Sequence, residues 1–200
     1  MIKKIKLKTM MRFKYLRHLL LSYFFKFDSW HVSPIESREY CLDVVDYINS
    51  EIERDACVVE IGCGLGETIS SIYCLHKYGY DQSYEVIRAA KMIDNRKYTT
   101  IFKVGSFDLP VGLDIQYLIT LNFLHDFDTD QVFQWFKLIT DNNNVLNIIV
   151  DELDVDNDND DYYRLHRFNS IIPKKYKEIK TIAKESYTFG RSIKVFSLNS

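Results

Sequence analysis

The chain has 200 residues, a size that one hydrophobic core commonly serves, so a single domain is expected. Its 46% hydrophobic and 27% charged residues are ordinary for a globular protein, and 3 prolines with 7 glycines exclude a long flexible linker. A net charge of −2 gives no global attraction to nucleic acid, and no such partner is expected.

The charge is unevenly spread. Lys3, Lys4, Lys6, Lys8, Arg12, Lys14, Arg17 and Lys26 are basic, and no acid precedes Asp28. Residues 1–27 are predicted as one or two helices. Such a segment either packs on the body with its lysines in water or lies against anionic lipid as a peripheral contact. The apolar run Leu19–Phe25 imitates a signal peptide, but Lys26 to Trp30 offer no small-residue cleavage site. The run is also well short of the roughly 20 residues a bilayer-spanning helix needs. The segment is therefore expected to be retained and not transmembrane.

Ser33–Pro34–Ile35–Glu36 reads as a helix start, with Ser33 as cap, Pro34 in the first turn and Glu36 closing a capping box. Ile35, Leu42, Val45, Ile48 and Ile52 then recur at helical spacing, which predicts one buried face. Residues 1–53 are accordingly read as a basic helical extension plus a lid helix, and 54–200 as the ligand-binding domain. Trp30 is expected to anchor this helix in the core. Stacking of Trp30 and His31 on a substrate is the other reading.

Cys57–Ile61 is a short buried strand that runs into Gly62, Gly64 and Gly66. A helical pattern follows from Glu67 to His76, then a brief strand to Tyr80 and a helix over about 83–93. Further strands are predicted at Thr100–Val104, Gln116–Asn122 and Val145–Val150, with a helix at Thr129–Thr140. This alternation predicts an α/β, doubly wound and mostly parallel sheet of about seven strands. Glu178–Glu185 and Ser192–Leu198, separated by Gly190, predict a C-terminal antiparallel hairpin.

Cys41, Cys57, Cys63 and Cys74 form no C-x-x-C pair or zinc spacing, so buried free thiols and a reducing cytoplasm are expected. In the run from Asp151 to Asp161, Asp154, Asp156 and Asp158 imitate a calcium loop. Asn159 stands where that loop needs glycine, and Leu165 where it needs glutamate. A solvated loop is expected, with no metal.

The glycine loop carries the chemistry. Strand, G-x-G-x-G and helix let a ligand approach backbone N–H groups where side chains would clash. A dinucleotide loop would need G-x-G-x-x-G, and Glu67 stands after Gly66 where its carboxylate would repel a pyrophosphate. A nicotinamide-dependent oxidoreductase is thereby disfavoured. Glu60, two residues before Gly62, suits a cationic ammonium. Asp81, 19 positions after Gly62, suits ribose hydroxyls, with helix capping as its ordinary alternative.

From Val58 to about Glu152 the chain resembles the class I S-adenosylmethionine-dependent methyltransferases. VVEIGCGLGE is similar to their first motif, YGYDQSYEVIRAAK to the second strand with its ribose acid, and FKVGSFDLP and QYLITLNFLHDF to the third and fourth strands. The resemblance implies a Rossmann-like methyltransferase fold with S-adenosylmethionine as cofactor. It implies that Glu60, Gly62, Cys63, Gly64 and Gly66 hold the methionine part, Asp81 the ribose, and Gly105, Ser106 and Phe107 the adenine. Asn122 follows the fourth strand beside the transferable methyl group. Ser106 stands where many relatives have aspartate, as does Gln116, with Asp114 two residues early. His125 is the candidate general base, with packing against the next helix as its more ordinary role. Asp126 is a candidate acceptor contact beside it. WHVSP with the glycine loop resembles small methyltransferases associated with surface-polysaccharide biosynthesis. Methyl transfer to an oxygen or nitrogen of a small-molecule or saccharide acceptor is the expectation; a catalytically inactive binding domain of the same fold is the alternative.

Overall fold

The computed structural model describes residues 2–94, 100–154 and 164–199, with side chains from residue 8 onward. Helix α1 (Ile2–Phe25) is one continuous helix, followed by single 3-10 turns at Ser29–Val32 and Ile35–Ser37 and by α2 (Glu39–Glu51). Then come β1 (Cys57–Ile61), α3 (Glu67–Ser70), β2 (His76–Asp81), α4 (Tyr84–Ile93), β3 (Ile101–Val104) and β4 (Asp114–Thr120). After a 3-10 turn at Leu124–Asp126 the chain continues through α5 (Thr129–Asn142), β5 (Asn144–Glu152), α6 (Phe168–Ile171), β6 (Tyr176–Ala183) and β7 (Ser192–Leu198).

The strands form one seven-stranded sheet in the order β3-β2-β1-β4-β5-β7-β6. The first five pair in parallel, and β7 is antiparallel to both β5 and β6. The doubly wound sheet and its closing antiparallel hairpin are thus as expected, with β7 inserted between β5 and β6. Order reverses between β1 and β4, so loops leaving those two strands diverge and open a crevice at their carboxyl ends.

Both faces of the sheet are covered. Val44, Ile48, Ile69, Ile72 and Ile87 pack with Val58, Tyr117 and Ile119 on one side. Phe136, Ile139, Phe168 and Ile171 pack with Val59, Ile61, Leu118 and Ile148 on the other. The central strands are therefore apolar on both faces, which is why CVVEI and the run ending in LIT show no alternation.

Three local expectations need correction. The helix predicted from Ser33 begins at Glu39: Ser33 and Pro34 precede a 3-10 turn, and no side chain caps it. The helical pattern over 67–76 yields only one turn of helix. Asn49 holds the following segment, donating to the Ser71 carbonyl and accepting from the Tyr73 N–H, while the buried Lys77 ammonium donates to the carbonyls of Ser70 and Ile72. Finally, Asp151 and Glu152 belong to β5 and not to a solvated loop. The rest of the acidic run, from residue 155, and with it the calcium-like spacing, lies outside the described residues.

Candidate functional site

β1 delivers the chain into three glycines with left-handed backbone, Gly62 at φ +72°, Gly64 at +54° and Gly66 at +72°. Side chains at such φ are strained, so the turn itself requires glycine. Packing requires it too. A Cβ on Gly62 would stand 2.4 Å from the Phe123 ring, and one on Gly66 would stand 2.3 Å from that of Phe102. The expectation that ligand approach explains these glycines is corrected to that extent: at Gly62 and Gly66 the chain's own aromatic rings already occupy the space.

Beside this loop lies a pocket of about 220 Å³. Glu60, Gly62, Cys63, Gly64 and Asn122 line it, together with Trp30 and His31. Seven residues chosen from the sequence are thus brought together by β1, β4 and the turn before α2. Gly66 faces a neighbouring cleft with Lys14 and Glu67.

Glu60 is 3% exposed, and its Oε2 accepts from the Ile69 N–H at 3.0 Å. Burial pushes its carboxyl up to about 8, against the opposing effects of that N–H and of Arg38. Asp81 uses both oxygens on backbone, accepting from the Gly64 N–H at 2.9 Å and from the Ser83 N–H at 2.9 Å. It thereby joins the end of β2 to the glycine loop, and Ser83, not Asp81, caps α4 through the Val86 N–H. Each Asp81 oxygen retains a second lone pair for a hydroxyl donor.

His31 covers Gly64, its Nδ1 lying 3.2 Å from where a Cβ would stand. Trp30 stacks on His31 with ring centroids 3.6 Å apart and is itself 61% exposed. The expectation that Trp30 anchors in the core is therefore wrong, because His31 takes the inner position and leaves the indole in solvent at the pocket rim.

Glu67 is also displaced from its expected role. Its carboxylate accepts from the Ile35 N–H at 2.7 Å and meets Lys14 at 3.2 Å and Arg38 at 3.8 Å. Those cations neutralise it, and it does not line the pocket at Gly62–Gly64. Repulsion of a pyrophosphate by Glu67 therefore has no structural basis; its work is to tie α1 and the turn before α2 to α3.

His125 does not reach the pocket. It is 3% exposed, with Nε2 at 3.2 Å from Asp151 Oδ2, and burial with nearby Arg191 lowers its pKa to about 4. The general-base expectation fails on geometry, since the buried ring lines neither the pocket nor its neighbour and its Nε2 donates to the Asp151 carboxylate beneath β4. Asp126, one residue on, is exposed and lines neither this pocket nor the chamber beside it. Phe107 is 3% exposed, stacked on Trp135 at 4.5 Å and outside the pocket lining, so its ring is not available to an adenine there. The Ser106 N–H donates to Asp108, a turn contact outside the pocket lining. Asp114 pairs with Asn144 at the amino end of β4, opposite the crevice, so it replaces nothing at the site.

Several site residues escaped the sequence. Arg38, Ser37, Cys41, Thr68 and Leu121 line the same pocket, and a second chamber of about 390 Å³ adjoins it across Ser37, Arg38 and Asn122. Tyr40, Tyr187, Phe189 and Arg191 line that chamber. Arg191 donates to Asn122 Oδ1 at 2.9 Å and lies over the Tyr40 ring at 4.4 Å. Nothing local marks Arg191; only the placement of β7 beside β5 brings it under the loop after β4. Among the described residues no three His, Cys, Asp or Glu side chains are grouped to hold a metal ion.

No protein-family model matches the chain, and no curated protein matches it. Solved structures do. The magnesium protoporphyrin IX methyltransferase ChlM from Synechocystis PCC 6803, solved with bound SAH, is 13% identical over 80% of this chain and 83% of its own, with a TM-score of 0.66. The methyltransferase domain of bacterial CtHen1-C is 16% identical over 82% and 99%, with a TM-score of 0.63. An S-adenosylmethionine-dependent methyltransferase from Clostridium acetobutylicum ATCC 824 is 10% identical over 82% and 92%, with a TM-score of 0.60. The chain has the Rossmann-like methyltransferase fold that its motifs resemble.

Proposed function

With that fold as premise, we propose that the protein is an S-adenosylmethionine-dependent methyltransferase acting on an oxygen or nitrogen of a small-molecule or saccharide acceptor. The observation that carries this reading is the pocket at the carboxyl ends of β1 and β4, where the buried acid Glu60 and the glycine-loop backbone meet. Glu60 feels the charge of Arg38 but is not ion-paired to it, and a buried carboxyl in that state is suited to an ammonium, as Asp81 at the end of β2 is to a ribose. Neighbours of the same fold solved with SAM or SAH support the same donor.

The donor's sulfonium leaves readily, so transfer needs in-line alignment more than a strong base. Withdrawal of His125 therefore removes one candidate role without removing the reaction. The adjoining chamber between Tyr40, Tyr187 and Arg191 is where the acceptor binds, with Asn122 at the junction and Trp30 and His31 at the rim. The saccharide class rests on the resemblance of WHVSP, while aromatic and hydrogen-bonding walls suit sugar rings. Neighbours that include a small RNA methyltransferase show that the fold alone does not select the acceptor. Free thiols at Cys41, Cys57, Cys63 and Cys74 support a cytoplasmic setting. The 1–53 segment acts as extension and lid over the 54–200 domain, in keeping with the lining given by Ser37 and Arg38.

Calorimetric titration with S-adenosylmethionine, its demethylated product and NAD tests the reading. Binding of the first two and not the third is expected; no binding of either overturns it. The alternative, a binding domain without catalysis, draws on the absence of His125 from the pocket. Methyl transfer to any acceptor in a panel of sugars and small hydroxyl or amine compounds eliminates it.

A further inference from the structure

Helix α1 has two apolar sides. One docks on the body through His18, Leu21 and Phe25, against the turn at Ser29–Val32 and α4, and Lys14 reaches Glu36 and Glu67 from the same side. At about 100° per residue, Phe13, Leu16, Leu20, Tyr23 and Phe24 fall on the opposite side within a stripe roughly 100° wide. That stripe is bare: Phe13 is 77%, Leu20 60% and Phe24 73% exposed. Lys8 and Arg12 flank it on one side and Arg17 on the other, at the same helical spacing.

We propose that this stripe seats α1 in the plane of an anionic membrane surface, as an interfacial anchor for the domain. Charge selects the occupant. The first 27 residues hold eight basic side chains and no acid, whereas the remaining 18 basic residues face all 28 acids of the chain. A second copy would have to bring its own cationic helix, or its acidic body, against a stripe whose centre is apolar. An anionic bilayer offers both a boundary for the rings and leucines and phosphates for the lysines and arginines. No described helix is long and apolar enough to cross a membrane, which agrees with a helix lying in the interface. Trp30, exposed just beyond α1, adds an amphipathic ring of the kind that favours the headgroup region. An apolar groove of about 510 Å³ runs from Arg12, Tyr15 and Leu16 to Ser33 and Ser37, which also border the glycine-loop pocket. Anchoring through the stripe therefore holds the site next to the bilayer.

The test uses the full chain without cofactor, so it stands apart from the methyltransferase reading. Flotation with vesicles containing about one-third anionic phospholipid should carry the protein upward, neutral vesicles should carry much less, and high salt should weaken the binding. The triple variant Phe13→Ser, Leu20→Ser, Phe24→Ser alters only exposed positions; it should keep its circular dichroism and melting temperature and lose at least about ten-fold in vesicle affinity. Failure of the full chain to bind anionic vesicles overturns the proposal, as does equal binding by the variant. A full chain that ignores vesicles but forms a dimer which the variant breaks assigns the stripe to self-association instead.

Discussion

Asp151 at the end of β5 and Arg191 just before β7 form a buried ion pair, 1% and 4% exposed, that floors the cleft beneath Asn122. Asp151 also accepts from the Asn122 N–H at 2.8 Å, and Arg191 donates to the Asn122 side chain, so the two charges hold that left-handed residue from both ends. Arg191→Ala leaves a carboxylate buried among weaker partners. A loss of about 3–5 kcal/mol is expected, read by urea unfolding. Arg191→Lys, which keeps charge but not the fork to both partners, should recover only part of that stability. Equal stability of Arg191→Ala and the parent would refute the role.

Glu60 makes a prediction about protons. With its folded pKa near 8 against an ordinary 4.5, the ligand-free protein keeps a proton there at pH 7 that the unfolded chain has released. Its contribution to stability is thus fully present below pH 4.5 and declines as pH rises through about 8. An ammonium bound beside it reverses the preference and expels the proton. Calorimetry of S-adenosylmethionine binding at pH 7 in two buffers of different ionisation enthalpy should show release approaching one proton. Glu60→Gln should show none, and a release of zero in the parent would contradict the assignment.

His125 is expected to matter for folding and not for the methyl-transfer step. Its pKa of about 4 lies below the ordinary 6.5, so its stabilising contribution is present above pH 6.5 and is lost as pH falls toward 4. His125→Gln, which can still reach Asp151, should change kcat by less than about three-fold and leave the pH–rate profile in place. A drop of about 1–3 kcal/mol in stability with His125→Ala is expected from the partner lost by a buried carboxylate. A fall in kcat of a hundred-fold with an altered acidic limb would restore the general base.

Gly66 and Phe102 should be coupled. Gly66→Ala adds a methyl into the ring of Phe102 and forces an alanine into φ +72°, which together should cost about 2 kcal/mol or more. Phe102→Leu alone costs stability by under-packing the core. In the double variant the clash is relieved while the φ penalty stays, so the double loss should be smaller than the two single losses together. Strict additivity in denaturant titrations would mean that the ring moves aside freely.

The sheet was legible because its signals are local: apolar strand runs, glycines where backbone turns left, and helical spacing in α2, α4 and α5. The pocket members on β1 and the loop after it, Glu60 to Gly64, were legible for the same reason, since strand, turn and acid lie within a few residues. Trp30, His125 and Glu67 were misread because each depends on a partner distant in sequence. His31 displaces Trp30 outward, Asp151 draws His125 down, and Lys14 and Arg38 capture Glu67. The second chamber was invisible for an identical cause, as Tyr40 and Arg191 are 151 positions apart in numbering and meet only because β7 inserts beside β5. Periodicity and glycine placement therefore determine the fold and where the backbone turns left-handed. Which carboxylates are neutral, which are paired and which side chains face the cleft is decided by burial and long-range charge contacts, and these exist only once the sheet has closed.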